Sequence, residues 1–205
     1  MSADDSAIEN FEEAIAEHLA VVQTLYAQMP ELERIGAEMV RAIASGNKVM
    51  WCGNGGSAAD SQHLAAEFVG RFKLERRGLA SIALTTDTSI ITAVANDYGY
   101  DQIFRRQVEA LCVEGDVLVG ISTSGNSRNV CLALAAAQDL GAFTVAFTGE
   151  GGGAMADLAH AKIQVGSKDT ARVQEGHILC GHMLCDWLEQ KIVALNLAET
   201  EVVSL

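Results

Sequence analysis

The sequence predicts an α/β protein of three layers: a five-stranded parallel sheet with helices on both faces, preceded by N-terminal helices. Three observations predict it. From residue 48 onward, short apolar runs alternate with amphipathic stretches, the pattern of strand–helix units whose strands are buried on both faces. Apolar residues make up 49% of the 205-residue chain, enough to fill one sizeable core. Glycines and hydroxyl residues collect after the strand candidates. Right-handed crossovers bring those positions to one edge of the sheet, where such folds bind ligands.

The elements follow in order. Residues 6–29 carry Ile8, Phe11, Ile15, Leu19, Val22, Leu25 and Met29 at steps of three and four, which predicts an amphipathic helix. Pro30 ends that helix or sits in the first turn of the next. Residues 31–45 repeat the pattern with Leu32, Ile35, Met39 and Ile43, and Gly46-Asn47 closes them. A long helix ahead of the first strand has no sheet face assigned to it. Packing against another subunit and packing on its own sheet both remain open. The chain therefore divides into N-terminal helices over 1–46, candidates for oligomerisation, and a ligand-binding unit over 47–195, within one structural domain. In that unit the strand candidates are 48–52, 80–85, 116–121, 143–148 and 161–165, and the helices are 57–70, 88–95, 101–113, 127–140 and 171–194.

Composition excludes several classes. The net charge of −13, from 27 acidic and 14 basic residues, argues against a nucleic-acid or anionic-membrane surface. The acidic N-terminus has no apolar signal core, and no apolar run reaches the length of a membrane span. A cytoplasmic protein is expected. The five cysteines are odd in number and form no C-x-x-C pair, so buried free thiols are expected rather than disulfides or a zinc–thiolate site.

The carboxyl edge carries the chemistry. After the first strand comes Gly53-Asn54-Gly55-Gly56-Ser57, opening a helix with His63 and Glu67 at i and i+4. Free N–H groups and the helix dipole converge on such a turn and suit an anion. The i,i+4 spacing puts an imidazole and a carboxylate on one helical face. A lone histidine on an Ala-rich helix is also an ordinary packing residue. After the third strand comes Ser122-Thr123-Ser124-Gly125-Asn126-Ser127, a phosphate-binding loop by its hydroxyl and N–H donors. It is not a Walker loop, and Gly53-x-Gly55-Gly56 has the wrong spacing for a dinucleotide fingerprint. Its alternative role is plain N-capping.

In the last long helix, Gln174, Ile178 and His182 follow at i+4 steps and share a broad face. His177 competes with His182, but about 140° separates them around the axis, so only one can face a given site. His18 and His160 stand apart from any polar cluster and are expected to be surface or packing residues.

The segments GNGGSAADSQHLAAEF, IALTTDTSIITAVANDYGYDQIF, GDVLVGISTSGNSRNV and VQEGHILCGHMLCDWLE together resemble the phosphoheptose isomerases, the sedoheptulose 7-phosphate isomerases of the sugar-isomerase (SIS) superfamily. The resemblance runs from about residue 10 to 192. It implies an SIS fold over 47–195 and a zinc ion bound by His63, Glu67, Gln174 and His182. It implies a phosphate held by Ser122, Thr123, Ser124 and Ser127, and a sugar lined by Asn54, Gly55, Gly56, Ser57, Asn96 and Asp97, with Glu67 and Gln174. Glu67 and His182 would be the catalytic pair of an aldose–ketose isomerase that acts through an enediol and feeds heptose for lipopolysaccharide. The family forms homotetramers with sites between subunits, which gives the N-terminal helices a partner. Sugar phosphate is the expected ligand, with no nucleic acid and no membrane. A similar protein without catalysis regulates replication initiation by binding the initiator DnaA, and it lacks the motif's glutamate. This chain keeps Glu67 and His182, which favours the enzyme.

Overall fold

A computed structural model describes the backbone of residues 5–203 and the side chains of residues 7–195. Five strands, β1 (Val49–Gly53), β2 (Ser81–Ala83), β3 (Val117–Ser122), β4 (Phe143–Thr148) and β5 (Ala161–Gln164), form one sheet in the order β2-β1-β3-β4-β5. Every pairing is parallel, with Gly53 opposite Ile121 and Ser122 opposite Thr148. Successive side chains leave a strand on opposite faces, and the core divides accordingly. Val49, Trp51, Val117, Val119 and Ile121 pack on one face under α2 (Met29–Ala44), α3 (Gly56–Val69) and α8 (Thr170–Val203). Met50, Cys52 and Leu118 pack on the other under α4 (Thr88–Tyr98), α5 (Arg105–Leu111), α6 (Arg128–Asp139) and α7 (Gly153–Leu158). These are the three layers read from the sequence.

Several boundaries differ. The single helix expected over 6–29 is α1 (Asp5–Thr24) followed by a 3₁₀ turn (Leu25–Gln28), and Pro30 lies in the first turn of α2. A proline there loses no helical hydrogen bond, because its position has no N–H partner in any case. The strand expected over 80–85 keeps three residues, since β2 is an edge that pairs with β1 alone. The helix expected over 101–113 is a 3₁₀ turn (Tyr100–Gln102) and then α5. The short α7 was not expected, because the glycines of its N-terminal flank read as loop.

Of the two histidines expected to be surface or packing residues, His160 is one and His18 departs from expectation. His18 is not isolated: its Nδ1 lies 2.7 Å from Glu175 Oε2, and Arg172 holds the other carboxylate oxygen at 2.8 Å. His160 stacks on Phe143 and bonds the backbone and hydroxyl of Thr144. The partners of His18 are far away in sequence, so its local surroundings could not reveal them. The cysteines are free, four of them buried and Cys131 half-buried. Among the described residues no helix is long and apolar enough to cross a membrane.

Candidate active site

The chain leaves β1 toward β2 but leaves β3 toward β4, although β1 and β3 are neighbours. The connections leaving their carboxyl ends therefore diverge, and the crevice between those connections is where such sheets take ligands. The turn Gly53–Ser57 lies on one side and the loop Ser122–Ser127 on the other.

In the loop, Ser122 ends β3 with its Oγ 2.8 Å from Ser127 Oγ and 3.3 Å from Ser124 Oγ. Gly125 adopts φ +66° and lies so close to the following loop that a Cβ would fall 2.1 Å from the Gly152 carbonyl oxygen. Only glycine fits there. The β4–α7 segment braces the loop through N–H bonds from Gly149 to Thr123 O, from Met155 to Gly125 O, and from Ala154 to Asn126 Oδ1. Ser127 occupies the N-cap of α6, yet its hydroxyl makes no capping bond and turns to Ser122 instead. Plain capping therefore does not account for the loop. Three hydroxyls converge beside a helix start without a side-chain cap, which is the setting for an oxyanion.

Across the crevice, α3 turns the stripe Gly56, Asp60, His63 and Glu67 toward α8. The helices meet closely at Gly181, where a Cβ would lie 2.6 Å from the Leu64 side chain. The next residue, His182, is thereby brought onto His63: the two Nε2 atoms are 2.8 Å apart and the rings cross at 73°. Glu67 Oε1 lies 3.5 Å from His63 Nε2. A 2.8 Å contact between imidazoles needs one N–H and one lone pair. Burial, and then the facing His63, hold His182 below the ordinary histidine range, against the pull of Glu67 and Asp60. Phe72 covers His182 with ring centroids 5.5 Å apart. The segment bearing Phe72 is tied down by Glu189, a fully buried carboxylate that accepts the N–H groups of Phe72, Lys73 and Leu74. Burial raises the Glu189 pKa, but these donors and Arg76 outweigh it and hold it below the usual range. Arg76 also donates to the Glu67 carbonyl at 2.9 Å.

Of the expected zinc ligands, His63, Glu67 and His182 come together. Gln174 lies against Gly56 at the head of α3, its Nε2 3.5 Å from Asp60 Oδ1. Among the described residues no group of three or more His, Cys, Asp or Glu side chains is arranged so that it could hold a metal ion. In donor chemistry the three that converge do fit zinc, which favours imidazole nitrogen and carboxylate oxygen. Asn54 bonds Asn129 and Tyr100. Ser57 is buried at the start of α3. Asn96 and Asp97 bond each other at 2.7 Å on the exposed end of α4. Sequence reasoning missed Asp60. It is buried, its Oδ2 has no partner among the described residues, and burial raises its pKa against Gln174 and the two imidazoles. The signal was present: three residues before His63 is the same helical face.

The family model for the SIS domain matches residues 10–149. The phosphoheptose isomerase of Aquifex aeolicus is 56% identical over 182 residues, covering 89% of this chain and 94% of its own length. That of Geobacter metallireducens is 53% identical over 174 residues, covering 84% and 92%. Two solved structures of phosphoheptose isomerases superpose over most of the chain. The Neisseria gonorrhoeae protein has a TM-score of 0.82 at 41% identity, covering 92% of this chain and 100% of that one. The Francisella tularensis protein has a TM-score of 0.84 at 38% identity, covering 93% and 100%. With the fold, the crevice and the paired histidines in agreement, this chain belongs to the phosphoheptose isomerase family of SIS-domain proteins.

Proposed function

We propose that this chain converts sedoheptulose 7-phosphate to D-glycero-D-manno-heptose 7-phosphate, an aldose–ketose isomerisation in the cytoplasm that feeds lipopolysaccharide heptose. The observation that carries the reading is the convergence of Glu67 and His182 on one side of the crevice, with the serine hydroxyls on the other.

The reaction moves a proton between adjacent carbons through a cis-enediol. It needs a base for carbon, a proton route between O1 and O2, and stabilisation of a developing oxyanion. Glu67 takes the proton from C1 of the ketose and returns one to C2. His182, kept largely neutral, accepts and gives protons at the sugar oxygens, and His63 holds its ring in place. Ser122, Thr123, Ser124 and Ser127 bind the phosphate, remote from the reacting carbons. That binding energy places C1 and C2 against Glu67. The turn Asn54–Ser57, with Asn96, Asp97 and Gln174, lines the chain of hydroxyls between the two ends. His63, Glu67 and His182, with Gln174 as a fourth donor, would hold zinc. When bound, the ion would supply Lewis-acid polarisation of the substrate oxygens.

The working unit is proposed to be a homotetramer. Phe11, Ile15 and Leu19 on α1 are 69%, 62% and 57% exposed in the single chain, a stripe of the kind that closed, symmetric interfaces cover. The direct test is incubation of the purified protein with sedoheptulose 7-phosphate, following the aldose phosphate by NMR. Turnover of a six-carbon ketose phosphate in its place would reassign the substrate. A stable, active monomer in sedimentation would reject the tetramer.

A further inference from the structure

A pair of amides bridges the two sides of the crevice. Asn129 lies in the first turn of α6, just after the hydroxyl loop, and is 3% exposed. Its Oδ1 accepts the Val130 N–H at 3.0 Å. A backbone N–H can only donate, so this contact fixes which end of the amide is oxygen, an assignment otherwise open to flipping. Nδ2 of Asn129 must then face Asn54, and it donates to Asn54 Oδ1 at 2.8 Å. Asn54 returns a bond from its Nδ2 to Asn129 Oδ1 at 2.9 Å. The Tyr100 hydroxyl donates a second bond to Asn54 Oδ1, at 2.9 Å.

The polarity of Asn54 is therefore set from outside it. Its oxygen has both lone pairs engaged by Asn129 and Tyr100, while Nδ2 carries two hydrogens and spends one. What remains to Asn54, half-buried at the crevice, is a single N–H. We propose that Asn129 and Tyr100 are positioning residues that make Asn54 a one-way hydrogen-bond donor toward an oxygen of the bound sugar. The same pair ties the β1–α3 turn to the start of α6 and so fixes the span between the hydroxyl loop and the reacting end. A sugar hydroxyl or carbonyl satisfies this donor. An ammonium group at that carbon would not, because it offers no lone pair and leaves the donor unpaired. The inference rests on the reading of Asn54 as a substrate-lining residue.

A double-mutant cycle separates positioning from simple bracing. Asn54→Ala, Asn129→Ala and the double variant are compared with wild type in kcat and KM for sedoheptulose 7-phosphate, with thermal melting. Calorimetric affinity for the same sugar phosphate is measured in parallel, so the coupling is read independently of turnover. Asn54→Ala is expected to lower kcat/KM about tenfold, the worth of one hydrogen bond in a closed site. Asn129→Ala should cost about three- to tenfold in the native background and no more than about twofold once Asn54 is alanine, since coupled residues are not additive. Tyr100→Phe removes only an exposed hydroxyl and should cost about two- to fivefold. Asn129→Asp keeps an acceptor for the Val130 N–H but cannot donate to Asn54. A normally melting Asn129→Asp with reduced kcat/KM supports the proposal even where Asn129→Ala folds poorly. An equal cost of Asn129→Ala in both backgrounds overturns it and leaves a structural brace. Wild-type kinetics in Asn54→Ala would remove Asn54 from the substrate and the inference with it, while leaving the roles of Glu67 and His182 standing.

Discussion

The two ends of the crevice are built in opposite ways. The hydroxyl end is six consecutive residues, Ser122–Ser127, at the tip of a central strand. The end proposed for acid–base chemistry joins side chains 119 residues apart, His63 on α3 and His182 on α8. A contiguous loop carries its chemistry in its own sequence, and neighbours such as Gly152 only brace it. A site made from two helices depends on where they meet, and the missing side chains at Gly181 and Gly56 allow the close approach. The ends should therefore fail differently when altered, the first in binding and the second in turnover.

The largest effect is expected at Glu67. Glu67→Gln keeps the size and the carbonyl oxygen but loses the base, so kcat should fall about 10²–10⁴-fold, the usual share of general acid–base catalysis. KM should change little and the fold should persist. Near-native kcat in a folded Glu67→Gln protein would remove Glu67 from this role. Ser122→Ala should show the reverse pattern: KM raised about ten- to a hundredfold, as befits a lost bond to a charged group, with kcat nearly kept. A drop in melting temperature with unchanged KM would reduce the loop to a helix start.

Metal sharpens the same contrast. If the proposed site holds zinc, chelation should lower turnover, while phosphate affinity at the hydroxyl loop and the circular dichroism of the fold stay as they were. The two imidazoles and Glu67 can pair with one another in the apo-protein. His63→Ala should hold no zinc by elemental analysis, and chelation should then change nothing further. Stoichiometric zinc in that variant would move the site elsewhere.

What was legible in the sequence follows the same division. The hydroxyl loop and the His63–Glu67 pair read directly, because the first is contiguous and the second obeys helical spacing. The five strands read from alternation, except that β2 proved short, since an edge strand gains support from one side only. α7 hid behind the glycines of its own N-terminal flank. Asp60 and the His18–Glu175 contact were missed because each depends on α8 coming from far along the chain. Gln174 and His182 read from one helical face, and the 3.5 Å approach of Gln174 to Asp60 on α3 could not be read from either helix alone.

The smallest effect on activity, and the cleanest test of which α8 histidine belongs to the crevice, is expected at His177. It lies five residues before His182 but points into the core, fully buried, with its ring 5.7 Å from that of Phe147 and Nε2 donating to Thr148 O at 3.1 Å. Truncation to alanine would spare the crevice yet leave a cavity, so leucine is the better substitution. The Thr148 carbonyl keeps a partner in the Val165 N–H. Burial pushes the His177 pKa down to about 4, against the Thr148 hydrogen bond that raises it, from an ordinary 6.5. Between those values the unfolded chain binds the proton and the folded chain does not, so stability falls as pH drops from 6.5 toward 4. At pH 5 the loss from this group is on the order of 2 kcal/mol. Denaturant titrations at pH 7 and pH 5 should therefore show a smaller loss in His177→Leu than in wild type. Turnover at pH 7 should stay within about twofold and zinc should remain bound, since a core substitution of similar volume leaves the crevice in place. Equal acid losses in the two proteins would show that His177 is protonated in the fold. Zinc lost from His177→Leu but kept in His182→Ala would exchange the roles of the two histidines.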